Sequence, residues 1–189
     1  YDRSFGGDAA SVSEYVSQVV GVMSEEGIGS VLKHFPGYGN CADTHEGMVI
    51  DHRVADDFYV SDFLPFESGV QSGADAVMVC HNIVEAFDSE YPASLSPAVH
   101  EILRERLGDD VVVLTDDLDM EGITDFTDGT SAAVQAVLAG NDMLLTSDYE
   151  THINAVLRAV EDGVIQEDRI NASVARILAW KISLGLIEV

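Results

Sequence analysis

Basic residues are scarce in this chain: 9 lysines and arginines stand against 34 aspartates and glutamates, a formal charge of −25 over 189 residues. A surface this negative repels nucleic acid and anionic membranes, which excludes both as partners and leaves salt-tolerant solubility as the plain reading of the charge. Cysteine is scarce too. Cys41 and Cys80 are the only two, too few for a disulfide framework, and neither sits in a CxxC or Cys/His ligand spacing. No metal or other cofactor is expected. Apolar runs fall far short of the ~20 residues needed to span a bilayer. The 4 prolines belong to no linker-like stretch. What is present is a chain 47% hydrophobic, of a size that suits one domain over residues 1–189 and buries about 70% of its surface on folding.

Strand and helix alternate along it. Val12, Tyr15, Val16, Val19 and Met23 recur at helical spacing, which predicts an amphipathic helix over 9–26 ending at Gly27, followed by a strand over 28–34. A second helix is expected over 60–72 with Pro65 in or near its first turn, then a short buried strand over 76–80. Helices over 97–107, 131–139, 149–160 and 169–183 alternate with strands over 111–114 and 143–145. Ile153, Val156, Leu157 and Val160 share one face of the helix over 149–160, and Gly185 suits the C′ position of the last helix. Short, nearly all-apolar strands separated by helices indicate a parallel sheet covered on both sides, either an open doubly wound sheet or a (β/α)8 barrel.

Both folds place chemistry at the carboxyl ends of their strands, and the polar residues gather there. Lys33-His34 follow the first strand, His81-Asn82 the second, Thr115-Asp116-Asp117 the third and Thr146-Ser147 the fourth. Asp116 is the first carboxylate after Val-Val-Val-Leu-Thr and suits a nucleophile or electrostatic stabiliser, and equally a helix N-cap or a solvated loop acid; Asp117 and Asp119 compete for the same role by composition. In the stretch LKHFPGYGNCADTHEG, Asp43 lies two residues from His45, close enough to fix the tautomer of the ring. A surface Asx-turn beside a solvated histidine satisfies the same spacing. Lys33 and His34 suit sugar hydroxyls or a phosphate, and equally a snorkelling lysine beside a buried-edge histidine.

The segment KHFPGYGNCADTHEG closely resembles the signature of glycoside hydrolase family 3 in its β-N-acetylglucosaminidase branch, where KHFPGxG precedes a loop carrying Asp-x-His. Further blocks follow in family order: DRSFG, FLPFESGVQSGADAVMVCH, PASLSP, LTDDLDMEGI, AGNDMLL and RINASVARILAWKISLGL. The resemblance implies a (β/α)8 TIM barrel, of which the C-terminal half to two-thirds is expected here, and retaining hydrolysis of terminal β-linked sugars. Asp116 matches the family nucleophile. His45, supported by Asp43, matches the acid/base, on a loop whose Gly37, Gly39 and Gly47 would act as hinges. Arg3, Lys33 and His34 match sugar-binding positions, and His81 matches a position lining the pocket. The path from Gly39 to Asp43 is one residue shorter than the usual pattern.

A carbohydrate is thus the expected partner, with little activity expected from the piece alone and self-association expected through an open barrel edge. A phosphorylase of the same family and a non-catalytic carbohydrate-binding remnant are the alternatives. Compartment is left open between the bacterial cytoplasm and the cell surface or exterior.

Overall fold

The computed structural model describes residues 5–38, 47–127 and 130–188. Its frame is a four-stranded parallel sheet ordered β1-β3-β5-β6, with β1 Val31–Phe35, β3 Ala76–Val79, β5 Val112–Asp117 and β6 Met143–Leu145. Each of these strands neighbours the one before it in the chain, with a helical crossover between them. A doubly wound sheet would reverse its strand order at a switch point; this one does not, which is the winding of a barrel. Among the described residues β1 and β6 have one neighbour each in this sheet, so the barrel is open on both sides. Two short strands, β2 Ile50–Asp51 and β4 Ile83–Val84, pair separately.

Register explains which face is dry. Lys33, Met78, Leu114 and Met143 are paired laterally, so their side chains share the inner face, where none is buried. Leu32, Val77 and Val113 form the adjacent row on the opposite face and are buried under helices. That outer core is built on α1 Ala9–Glu25 and α3 Phe63–Gln71, with Phe35 stacked on Phe63 at a centroid distance of 5.3 Å. Gly69 lets the layers close: a Cβ there would sit 2.7 Å from Leu32 Cδ1 and 3.0 Å from Val16 Cγ1.

Local sequence sets most boundaries. The Asp8 carboxylate accepts from Ser11 N at 2.8 Å and starts α1, while Ser96 caps α4 Pro97–Leu107, with Pro97 in its first turn. Asp148 caps α7 Tyr149–Glu161. α8 Glu167–Ser183 ends at Gly185, φ +67°, where the Leu186 amide donates to Lys181 O and that of Gly185 to Ile182 O, a Schellman closure. Short helices α2 Ala55–Asp57 and α5 Glu121–Thr124 and the longer α6 Thr130–Ala139 complete the set.

Three expectations are corrected. The helix expected over 60–72 begins earlier: α2, a π-helical turn Phe58–Asp62 and α3 run on continuously from Ala55, with Pro65 in the first turn of α3, three residues after the π turn. A proline removes a donor and crowds the carbonyl four residues back, here Ser61, and the wider π turn accommodates both. β5 continues through Asp117 and β1 through Phe35, so Lys33, His34, Thr115, Asp116 and Asp117 lie within strands and not after them. On α7 the buried residues are His152 and Ala159, whereas Ile153 and Leu157 are both 55% exposed. Val156 and Val160 of the expected face pack on the core beside Ala159, and His152 Nδ1 lies 2.6 Å from Thr146 Oγ1.

Candidate active site

Asp116 stands near the end of β5, where a register shift against β6 between Leu114 and Asp117 interrupts the pleat. Its approach to His34 puts it on the inner face with Leu114, and the buried Thr115 Oγ1 accepts from Leu145 N at 3.0 Å and braces β5 against β6. The Asp116 side chain, 17% exposed, has one oxygen fixed and one presented. Oδ1 accepts from the backbone N–H of Asp117 at 2.9 Å, and Oδ2 lies 3.6 Å from His34 Nε2. β1 and β5 are separated by β3, so His34 reaches across a whole strand. A register shift between Lys33 and Phe35 accompanies that reach, and the Lys33-His34 and Phe35-Pro36 peptides are cis. Lys33 is exposed on the same inner face, and the Tyr38 ring stands 5.5 Å from that of His34.

The two rival carboxylates are committed elsewhere. Asp117 Oδ1 accepts from Asp119 N at 3.1 Å and its Oδ2 from Ser147 Oγ at 3.2 Å. Asp119 Oδ2 accepts from Thr146 Oγ1 and from the amides of Ser147 and Asp148. Burial would raise its pKa, but these donors outweigh burial and hold it below the ordinary aspartate value. Both acids therefore tie the loop after β6 to the end of β5, which leaves Asp116 as the carboxylate facing the barrel interior.

His81 follows β3 and is wholly buried, so it does not offer an edge to an open pocket. Its Nε2 lies 2.9 Å from the carbonyl oxygen of Asp117 and its Nδ1 2.7 Å from Ser94 Oγ. Burial lowers its pKa, and the neutral ring is the form that sits there.

Beneath the loop that leaves β1 lies a clamp that sequence reasoning missed. Arg53 donates to both oxygens of Asp51 and both of Asp62, and its Nη2 to Gly37 O at 3.3 Å, with the guanidinium 4.1 Å over the Phe58 ring. Burial would lower its pKa, yet the two carboxylates raise it above the ordinary arginine value. Gly37 is thereby held: at φ +136°, a Cβ on it would lie 2.0 Å from Asp62 Oδ1. It is a close-approach glycine and not a free hinge. Gly47, φ +127°, meets nothing within 4 Å, and Gly39 lies outside the described residues. The signal for the clamp was the rarity of bases, since Arg53 is one of only 9. Ser94 was also missed; only its place in the PASLSP block singled it out.

Arg3, Asp43 and His45 lie outside the described residues. The structure thus brings together Asp116, His34 and Lys33, and places His81 behind them. Among the described residues no group of three or more His, Cys, Asp or Glu side chains is arranged to hold a metal.

Residues 1–180 match the glycosyl hydrolase family 3 N terminal domain. The β-hexosaminidase of Hydrogenovibrio crunogenus is 33% identical over 173 residues, covering 89% of this chain and 48% of that protein. The β-hexosaminidase of Stenotrophomonas maltophilia strain K279a is 37% identical over 163 residues, 85% of this chain and 48% of that protein. This chain therefore spans about half the length of these relatives. A solved family 3 β-N-acetylglucosaminidase from Paenibacillus sp. superposes with a TM-score of 0.91 at 37% identity, covering 97% of this chain and 36% of that one.

Proposed function

We propose that this chain, which belongs to glycosyl hydrolase family 3, supplies the nucleophile and the sugar grip of an active site that hydrolyses terminal β-linked N-acetylglucosamine with retention of configuration. The observation that carries the reading is Asp116. It stands at the carboxyl end of an inner-facing strand, with one oxygen held by a backbone N–H and the other toward His34 at 3.6 Å.

In the first step the free Asp116 oxygen attacks the anomeric carbon. The C1–Oδ bond forms as the glycosidic C1–O bond breaks, and the leaving oxygen takes a proton from His45, whose ring Asp43 supports. In the second step water gives its proton to His45 and attacks C1, and Asp116 leaves as a carboxylate. Retaining enzymes commonly use a second carboxyl group as acid/base; a histidine titrating near neutrality can serve both half-reactions at one pH. Lys33, His34 and Arg3 bind the sugar in this reading, and His34 also keeps the attacking carboxylate facing the interior. The open edges at β1 and β6 favour association when this half stands alone.

The full-length protein incubated with a chromogenic β-N-acetylglucosaminide should release N-acetylglucosamine as the β-anomer first. A 2-fluoro or 5-fluoro glycosyl inhibitor should label Asp116, as read by peptide mass spectrometry. Release of the α-anomer, or label on another residue, defeats the mechanism; sugar 1-phosphate formed in phosphate buffer would reassign the enzyme as a phosphorylase. Residues 1–189 alone should show little turnover and a concentration-dependent increase in mass by light scattering.

A further inference from the structure

The strand end that carries Asp116 is held by a buried polar chain that takes no part in bond making. Asn141 Nδ2 donates to the carbonyl oxygens of Ser94, at 2.7 Å, and Ala136, at 2.8 Å. Ser94 N donates to Cys80 O at 3.0 Å, so the serine is anchored through both sides of its backbone. Its hydroxyl meets His81 Nδ1, and His81 Nε2 meets Asp117 O. Asn141, Ser94 and His81 are all 1% exposed or less. They come from three separate segments that precede β6, precede α4 and follow β3.

Hydrogen-bond chemistry fixes the tautomer. A carbonyl oxygen can only accept, so the ring must carry its proton on Nε2. A neutral ring then has a bare Nδ1, which accepts the Ser94 hydroxyl proton. We propose that His81, held as the Nε2–H tautomer by Ser94, is a positioning residue for Asp116: together with Met120 N it pins the carbonyl of Asp117, the residue after the nucleophile, and so fixes where the Asp116 carboxylate ends. This rests on the assignment of Asp116 as nucleophile above.

The geometry supports a directed role. Asp116 Oδ1 is itself bonded to the N–H of Asp117, and the Asp117 carbonyl accepts from Met120 N at 3.1 Å as well as from His81, so both the amide and the carbonyl of Asp117 are committed. Rotation of that residue would move the carboxylate and its amide donor together. Displacements near 1 Å cost on the order of 10²-fold in rate. A buried imidazole bonded through both nitrogens resists such a rotation better than a solvated side chain.

The test uses the full-length enzyme with three variants and one spectrum. His81→Leu should lower kcat by about 100-fold with KM changed by less than about 3-fold, and should slow fluoro-glycoside labelling of Asp116 in proportion. His81→Gln retains an N–H donor for the Asp117 carbonyl and should recover most of that loss. Ser94→Ala, which leaves the Nε2–H bond in place but frees Nδ1, should cost about 10-fold. Long-range ¹H–¹⁵N correlation spectra of the wild type should show His81 as the neutral Nε2–H tautomer, and Ser94→Ala should shift that signature. The proposal is overturned by an Nδ1–H or protonated His81, or by an active enzyme whose His81→Leu and His81→Gln variants fall equally. Should His81→Leu fail to fold, the spectrum and Ser94→Ala decide the matter. A wild type without glycosidase turnover removes the nucleophile assignment and this role with it, whereas an active wild type indifferent to all three variants removes the role alone.

Discussion

The two ends of one sheet are built on opposite electrostatic plans. At the carboxyl ends of the strands Asp116, Asp117 and Asp119 stand close together, bound mainly by backbone amides and hydroxyls, with His34 as the near base. At the amino ends a single carboxylate, Asp142, gathers three arginines. Its Oδ2 accepts from Arg104 at 2.9 Å and from Val113 N at 3.0 Å; its Oδ1 accepts from Arg176 at 3.1 Å and Ser173 Oγ at 2.6 Å, with Arg169 at 3.7 Å. A third of the 9 bases of the chain are committed there. One end leaves a carboxylate accessible to react; the other buries a carboxylate to lock α4 and α8 onto the sheet. Acidity alone distinguishes neither, since the partners decide the role.

The contrast can be broken at the amino end with the largest expected loss of stability. Asp142→Asn leaves three guanidiniums without their counter-ion, and should destabilise the protein by about 3–5 kcal/mol, read as a lowered urea midpoint. A change below about 1 kcal/mol would mean that the cluster is solvated and not structural.

In the full-length protein Asp116→Asn should do the reverse, lowering turnover by roughly 10⁴-fold while the unfolding free energy stays within about 1 kcal/mol of wild type. Gly37→Ala mixes the two effects. Its Cβ must displace Asp62 from the Arg53 clamp at a positive-φ position, so a loss of about 1–3 kcal/mol together with reduced turnover is expected from denaturation and rate measurements.

The smallest effect is on acid stability. Burial lowers the pKa of both His81 and His100, the latter bonded through Nδ1 to Ser96 O at 2.8 Å. The unfolded chain then binds protons that the folded one refuses, so stability is full above the unfolded value of about 6.5 and declines as pH falls below it. Replacing His100 by Asn, which keeps a donor for Ser96 O and does not titrate, should flatten that decline. An unchanged slope between pH 7 and 5 would show that His100 carries none of it.

Much of this was legible from the linear order of residues. Gly185 stands at the C′ position expected of it, and Gly27 just past the end of α1, because such signals act within one turn. The interior strands were readable from their unbroken apolar runs. Strand ends were not: β5 runs on through Thr115, Asp116 and Asp117 because pairing with β6 and the inner opening of the barrel accept polar side chains that an apolar pattern would exclude. On α7 the apolar face was legible in part: Val156 and Val160 pack on the core, whereas Ile153 and Leu157 stay exposed.

At the candidate site, Lys33, His34, His81 and Asp116 stood out as polar residues beside buried strands, yet their roles differed once placed. His34 and Asp116, 82 positions apart in the sequence, meet across an intervening strand. His81 turned out to face inward to Ser94 and the Asp117 carbonyl. Arg53 went unread because its carboxylates, Asp51 and Asp62, look like ordinary solvated acids in a chain with 34 of them.

Alternation of elements, family and the short list of candidate residues all follow from neighbouring positions, because periodicity, capping and motif order are local properties. Tertiary structure alone decided which aspartate faces the barrel interior, which imidazole is sealed behind it and which acid gathers the arginines. Each of those outcomes depends on strand register and on contacts between segments far apart in the chain, and a charge acquires its function from the partners that register places beside it.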